Sequence, residues 1–229
     1  MVDTAYGLKL SANYNDETFK FYVSGAYGTF YWDRIGKFAV PFVFLDIGAN
    51  QGLYAIGAAK NPLCVASYAF EPVPHTFDFL KANIALNGVT DRCIPVMKAV
   101  GERHGVAEIA LKEGHSGVAT LAGSNLLKAV AQTRASVAMI DGRDLEKLIE
   151  PVDRPILVKI DVEGYESVVI DQLLKTSIAG RIAEAFLEIN EDWVDVDGIK
   201  NRLRGAGLAH FMKVGAGRQY DLLATREPV

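Results

Sequence analysis

From Val43 onward, short apolar runs alternate with segments of helical spacing, and no other feature of the chain restricts its fold as strongly. Apolar runs without a polar alternation read as strands buried on both faces. Such strands need helices above and below the sheet, and therefore parallel crossovers. The first run is Phe42-Val43-Phe44-Leu45, followed by a helix over Leu53–Lys60. The second is Cys64–Phe70, closed by Glu71-Pro72. Pro74 then opens a helix with Phe77, Leu80 and Ile84 at helical spacing, and Gly88 stops it. A third strand is expected over 94–100, a fourth at Ile156–Ile160 and a fifth over 183–189. Between the third and fourth lie expected strands at 106–111, 117–121 and 136–140 and helices at 124–133 and 144–149. Helices are also expected around Val168, Val169, Leu173 and Leu174 and over 196–204, before a closing hairpin of 210–214 and 220–224. The pattern predicts a doubly wound, mostly parallel seven-stranded α/β sheet with helices on both faces.

The first 40 residues differ. Residues 8–13 and 19–23 alternate apolar and polar as a β-hairpin would, and Tyr27, Phe30, Tyr31 and Trp32 form an aromatic cluster. Residues 1–40 are read as a hairpin cover or lid and 41–229 as the main domain. A length of 229 residues suits this arrangement. The formal net charge of -4 disfavours non-specific phosphate binding, so nucleic acid is not the expected partner. The two cysteines, Cys64 and Cys93, form no CxxC pair, so neither a zinc site nor a disulfide framework is expected. With no signal peptide read at the start, the expected compartment is the reducing cytoplasm. No apolar run approaches the roughly 20 residues that cross a bilayer, so no membrane association is expected. The oligomeric state is open.

Three short stretches carry the chemistry. Asp46-Ile47-Gly48-Ala49-Asn50-Gln51-Gly52 turns a strand sharply into a helix, where backbone N–H groups are exposed and glycine lets a ligand approach. The spacing is not GxGxxG, and an acid beside the first glycine serves a pyrophosphate poorly. It suits a ligand bearing an ammonium group, such as S-adenosylmethionine. Glu71 ends the next strand, where an acid accepts hydrogen bonds from ribose hydroxyls. In Lys159-Ile160-Asp161-Val162-Glu163-Gly164-Tyr165-Glu166, charged residues crowd the mouth of an apolar strand, and Asp161 and Glu163 are spaced to point the same way.

Taken together, Leu45 to Gly52, Phe70-Glu71-Pro72 and Lys159 to Glu166 resemble the FkbM-type methyltransferases, in order over about 43–190. The resemblance implies a class I, Rossmann-like methyltransferase domain and S-adenosylmethionine as cofactor. It also implies O-methylation of a sugar or another small natural-product hydroxyl. The implied cofactor contacts are Asp46, Gly48, Ala49, Asn50, Gly52, Glu71, Pro72, Ala99 and Asp161, with His115-Ser116-Gly117 nearby. Asp161, Glu163 and His115 are the candidate catalytic groups, since an alkyl hydroxyl is a weak nucleophile that a base assists. No metal is expected; Asp161, Glu188 and Asn190 are the alternative if one assists. A nicotinamide-dependent oxidoreductase on the same fold is the rival enzyme class, disfavoured by the missing GxGxxG. A non-catalytic S-adenosylmethionine-binding module is the second rival, disfavoured by the intact acids. An amino-directed nucleic-acid enzyme would carry an (Asp/Asn)-Pro-Pro-(Tyr/Phe) stretch where Asp161-Val162-Glu163-Gly164 stands.

Overall fold

The structure, a computed structural model, describes residues 1–121, 133–150 and 153–228. In chain order it comprises β1 (Val2–Asp3), β2 (Lys9–Leu10), α1 (Glu17–Ser24), α2 (Phe30–Gly36), β3 (Phe42–Ile47), α3 (Leu53–Lys60) and β4 (Cys64–Phe70). Then come α4 (Pro74–Leu86), β5 (Cys93–Val96), β6 (Ala99–Val100), β7 (Gly105–Lys112), β8 (His115–Thr120), β9 (Thr133–Ile140) and α5 (Gly142–Leu148). The rest is β10 (Ile156–Ile160), α6 (Glu166–Leu174), a 3-10 turn at Ser177–Arg181, β11 (Ile182–Asn190), α7 (Val196–Gly205), β12 (His210–Val214) and β13 (Gln219–Thr225).

Seven strands form the central sheet in the order β12-β13-β11-β10-β3-β4-β5. Six of them run in one direction, and β13 alone is reversed, pairing antiparallel with β11 and with the edge strand β12. The continuous apolar runs explain this: β3 and β10 are buried at every position, so helices must cover both faces. Leu45, Ile47, Val158 and Ile160 pack on one side with Val169, Leu173 and Leu203; Phe42, Phe44 and Leu157 pack on the other with Tyr31, Leu53 and Ile56. The chain winds outward from β3 through β4 to β5, then returns to β10 on the other side of β3. The order therefore reverses between β3 and β10, and a crevice opens beyond their carboxyl ends. A second sheet, β6-β9-β7-β8, stands beside that crevice.

Three expectations change. The expected pairing of residues 8–13 with 19–23 does not form; instead β1 pairs with β2, Val2 opposite Leu10. Residues 19–23 are helical, because Asp16 accepts the Phe19 N–H at 2.9 Å as an N-cap and Phe19 and Tyr22 share one buried face. The run 94–100 is split: the chain leaves the main sheet after Val96, and Ala99–Val100 joins β9 in the second sheet. The helix expected over 124–133 lies outside the described residues, apart from Thr133, which is in β9.

Candidate functional site

The turn after β3 holds itself together before any ligand is considered. The N–H groups of Gly48 and Ala49 donate to the Phe70 carbonyl at 3.0 and 2.9 Å, and that of Gly52 donates to Ala49. Asn50 N–H donates to Glu71 Oε2 at 3.0 Å, and Gln51 N–H to Asn50 Oδ1 at 2.8 Å. The expectation of free backbone donors is thus corrected, because the neighbouring strand end and the turn's own side chains occupy them. Gly48 has φ of 86°, and a Cβ there would overlap the carbonyl oxygen of Asp161. Gly52, with φ of 96°, sits against Leu80 and Ile56.

Beyond the turn lies a cavity bounded by the ends of β3, β4 and β10 and by the second sheet. Of the expected cofactor contacts, Gly48, Asn50, Glu71, Pro72, Ala99 and Asp161 line it. Asp46, Ala49 and Gly52 do not. Asp46 is 1% exposed and lies beneath α3, where its Oδ2 accepts the Ala55 N–H and its Oδ1 has no partner. Ala49 and Gly52 shape the turn from behind. Tyr22, Tyr27, Lys98, Ser116 and Tyr165 also line the cavity, and the sequence reading did not select them as ligand contacts, apart from Ser116 through its neighbourhood. The aromatic cluster signalled Tyr27; Tyr22 was hidden in a segment read as strand.

A second, more open cavity of about 1280 Å³ adjoins the first, and Tyr27 and Gly117 belong to both walls. It is lined by Glu163, Glu188 and Asp221 together with His115, Trp193 and Tyr220. Asp161 and Glu163 therefore face different cavities. The extended alternation breaks because Glu163 (φ 51°) and Gly164 (φ 93°) both turn left-handed. Glu166 holds that loop, its Oε1 accepting the N–H groups of Val162 at 3.3 Å and Gly164 at 3.0 Å. His115 lies in the wall of the second cavity with Nδ1 3.3 Å from Thr18 Oγ1, and burial draws its pKa down. Asn190 Oδ1 accepts the Asp192 N–H. Among the described residues, no group of three or more His, Cys, Asp or Glu side chains converges on a metal-binding position.

Charge at the junction is dense. Lys159 Nζ is 2.8 Å from Asp161 Oδ2 and 5.1 Å from the Tyr54 ring centre. Strand register sets Lys159 beside Asp46. Burial disfavours the ammonium, but the charges of Asp161 and Asp46 outweigh it and hold the pKa above the usual lysine range. Burial pushes Asp46 and Asp221 up to about 6 and Glu71 and Glu166 up to about 7. Burial, with the nearby Asp161, raises Glu163 well above the carboxylate range, and the Asp161 charge, with burial, does the same to Glu188. These folded carboxyls hold protons that an unfolded chain releases near pH ~4. The folded state then binds more protons between about pH 4 and 7, so stability falls as pH rises. The thermal midpoint is expected to be higher at pH 5 than at pH 8; a midpoint that rises over that interval would contradict the burial of these acids.

The cover is tied to this site. Asp16 Oδ2 accepts the Ser116 N–H, and Asp16 Oδ1 accepts from Gln51 Nε2 at 2.9 Å. Ser116 Oγ is 3.0 Å from both Asp16 Oδ1 and Asn50 Oδ1. Gly117 N–H donates to Thr18 Oγ1 at 2.9 Å. The N-terminal segment, β8 and the glycine turn thus share one polar network.

A family profile described as the methyltransferase FkbM domain matches residues 46–208. No curated protein matches the sequence. Among solved structures, the chain is similar to the METTL16 MTase domain, at 14% identity and a TM-score of 0.55, over 97% of this chain and 75% of that one. It is also similar to M. capricolum TrmK in complex with S-adenosyl-homocysteine, at 12% identity and a TM-score of 0.50, over 85% of this chain and 66% of that one. A third is aTrm5 in complex with tRNALeu, at 17% identity and a TM-score of 0.50, over 89% of this chain and 46% of that one. The chain therefore spans about two thirds of the TrmK chain and under half of aTrm5. At such identities these likenesses establish the fold, a Rossmann-like methyltransferase sheet.

Proposed function

Because the chain belongs to the FkbM methyltransferase domain family, we propose that it moves a methyl group from S-adenosylmethionine to a hydroxyl of a sugar or another small natural product. The observation that carries this reading is the junction of the two cavities, with Asp161 facing the first and Glu163 the second.

The first cavity's residues fit the donor. Each Glu71 oxygen accepts one backbone N–H, from Asn50 or Val73, which leaves lone pairs for two ribose hydroxyls. Pro72, Ala99 and Val100 offer apolar surface to a base. Asp161 supplies negative charge where a sulfonium and an ammonium are held. When bound, the donor supplies an electrophilic methyl on positively charged sulfur. The chain's own work is to hold the acceptor oxygen in line with that methyl, to exclude water and to take the hydroxyl proton. Asp161 is already engaged by Lys159, whereas Glu163 and Glu188 border the acceptor space and bind a proton readily. We assign proton removal to Glu163, with Glu188 beside it and His115 at the rim.

The wall of the second cavity offers the carboxyls of Glu163, Glu188 and Asp221 to a polyol and, among the described residues, no Lys or Arg to pair with a phosphodiester, so a small molecule is the acceptor we propose rather than RNA. Among the described residues no helix is long and apolar enough to cross a membrane. The buried free thiols Cys64 and Cys93 favour a reducing compartment, and we place the activity in the cytoplasm.

Calorimetry with S-adenosylhomocysteine and transfer of a radiolabelled methyl to a panel of free sugars and glycosides test the reading together. Absence of nucleoside binding, or label passing only to RNA, would overturn it. Glu71→Ala is expected to weaken S-adenosylhomocysteine binding at least about tenfold, the worth of hydrogen bonds to a charged group. An unchanged affinity would remove Glu71 from the ribose site.

A further inference from the structure

The family match begins at residue 46, yet α1 and the loop after it supply part of the cofactor cavity wall. Tyr22 is 5% exposed and lines that cavity, and its hydroxyl has no hydrogen-bond partner among the described residues. That hydroxyl is not sealed in the core either, for among the described residues the fully enclosed unpartnered side-chain polar atoms are those of Tyr31, Asp46, Gln51, Glu166 and Glu184. Tyr27 is a second unpartnered phenol in the same wall, its ring centre 5.0 Å from that of Tyr22.

The site described above lacks donors at one end. A methyl donor of this kind carries an α-carboxylate as well as an ammonium. The backbone N–H groups of residues 48–52 are all spent on Phe70, Glu71 and the turn itself, and those of Ser116 and Gly117 on Asp16 and Thr18. Lys98 lies on the Glu71 side of the cavity, where its N–H and that of Glu71 share the Val96 carbonyl at the end of β5. At the opposite end, where Gly48 and Asp161 stand and Tyr27 borders the acceptor cavity, the two phenols are free donors and the side-chain amide of Asn50 is a third. The carboxylates there, Asp161 foremost, serve a cation and repel a carboxylate.

Resting on the methyl-donor reading, we propose that Tyr22, assisted by Tyr27, donates a hydrogen bond to the α-carboxylate of the cofactor, so that the N-terminal segment is part of the cofactor site. Burial raises both phenols well above their ordinary pKa, with the charge of Asp161 adding to it, so each remains a donor throughout the working range. The segment is locked in place by the Asp16 and Thr18 contacts to β8 and the glycine turn. Its helix is therefore positioned before a ligand arrives.

The test is calorimetry on the full chain with two probes: S-adenosylhomocysteine and its decarboxylated analogue, which keeps the nucleoside and the amine. Tyr22→Phe retains the ring and removes only the hydroxyl. It is expected to weaken S-adenosylhomocysteine binding about tenfold, and to leave the decarboxylated analogue within about twofold of wild type. Tyr22→Phe/Tyr27→Phe is expected to lose more on the first probe and still little on the second. Equal affinity of wild type and both variants for S-adenosylhomocysteine overturns the proposal, as does an equal loss on both probes, which would mean a distorted cavity. Failure of the wild-type chain to bind S-adenosylhomocysteine would instead overturn the methyl-donor reading on which the proposal rests.

Discussion

Gly48→Ala is expected to lower the thermal midpoint by roughly 10 °C or more and to weaken S-adenosylhomocysteine binding by at least about a hundredfold. Two effects add. A φ of 86° costs a non-glycine residue about 1–2 kcal/mol. The new Cβ would also fall on the Asp161 carbonyl oxygen, which is backbone and has no rotamer to yield. Relief requires the ends of β3 and β10 to separate, against the Asp161 N–H donating to the Ile47 carbonyl at 3.0 Å. That movement displaces Asp161 from the cavity wall and pulls on its ion pair with Lys159, a buried pair whose disruption costs about 3–5 kcal/mol. Gly88→Ala is the control. Gly88 has φ of 66° and nothing near its missing Cβ, so only the backbone cost of about 1 kcal/mol is expected. Equal midpoints for the two variants, measured by calorimetric scanning, would show that close approach at Gly48 is unimportant.

The same pair of strands shows what the sequence reveals and where it stops. β3 and β10 are legible because burial on both faces leaves a nearly continuous apolar run, a purely local signal. Glu71, Asn50 and Gly48 are legible because a strand end and a tight turn dictate where they project. Asp46 was expected to touch ligand, since an acid beside the first glycine suits an ammonium group. It meets Lys159 across the sheet, and that register is a long-range fact. Glu163 was expected to share a face with Asp161, because period-two spacing holds only while φ stays negative, and nothing in Asp-Val-Glu-Gly announces a left-handed glutamate. The misread helix α1 had a cap signal in Asp16, outweighed by an alternation that fits a helical face equally well. The second cavity could not be assembled beforehand, for Glu163, Glu188 and Asp221 come from three separate strand ends.

That cavity makes the sharpest demand on the chemistry. Glu163→Gln is expected to reduce kcat by about 10²- to 10³-fold, the usual worth of a positioned base. S-adenosylhomocysteine affinity should stay within about threefold, since Glu163 lies in the wall of the second cavity and not the first. The pH profile supplies the independent readout. Only an ionised carboxylate can take the acceptor proton, and burial with the Asp161 and Glu188 charges raises Glu163 well above the ordinary range. Activity in the wild type should therefore climb with pH along a limb far above that of a solvent-exposed glutamate, and be absent where Glu163 is protonated. In the glutamine variant the high limb that belongs to residue 163 should be missing from the residual activity. Glu188→Gln removes a like charge that raises Glu163, so it should move the limb downward but retain most of kcat, because the primary base is still in place. A glutamine at residue 163 that works at full rate with an unmoved limb would transfer the base to another group of the wall, and His115, already drawn below its ordinary pKa by burial, would then have to produce a limb on the acid side of neutrality.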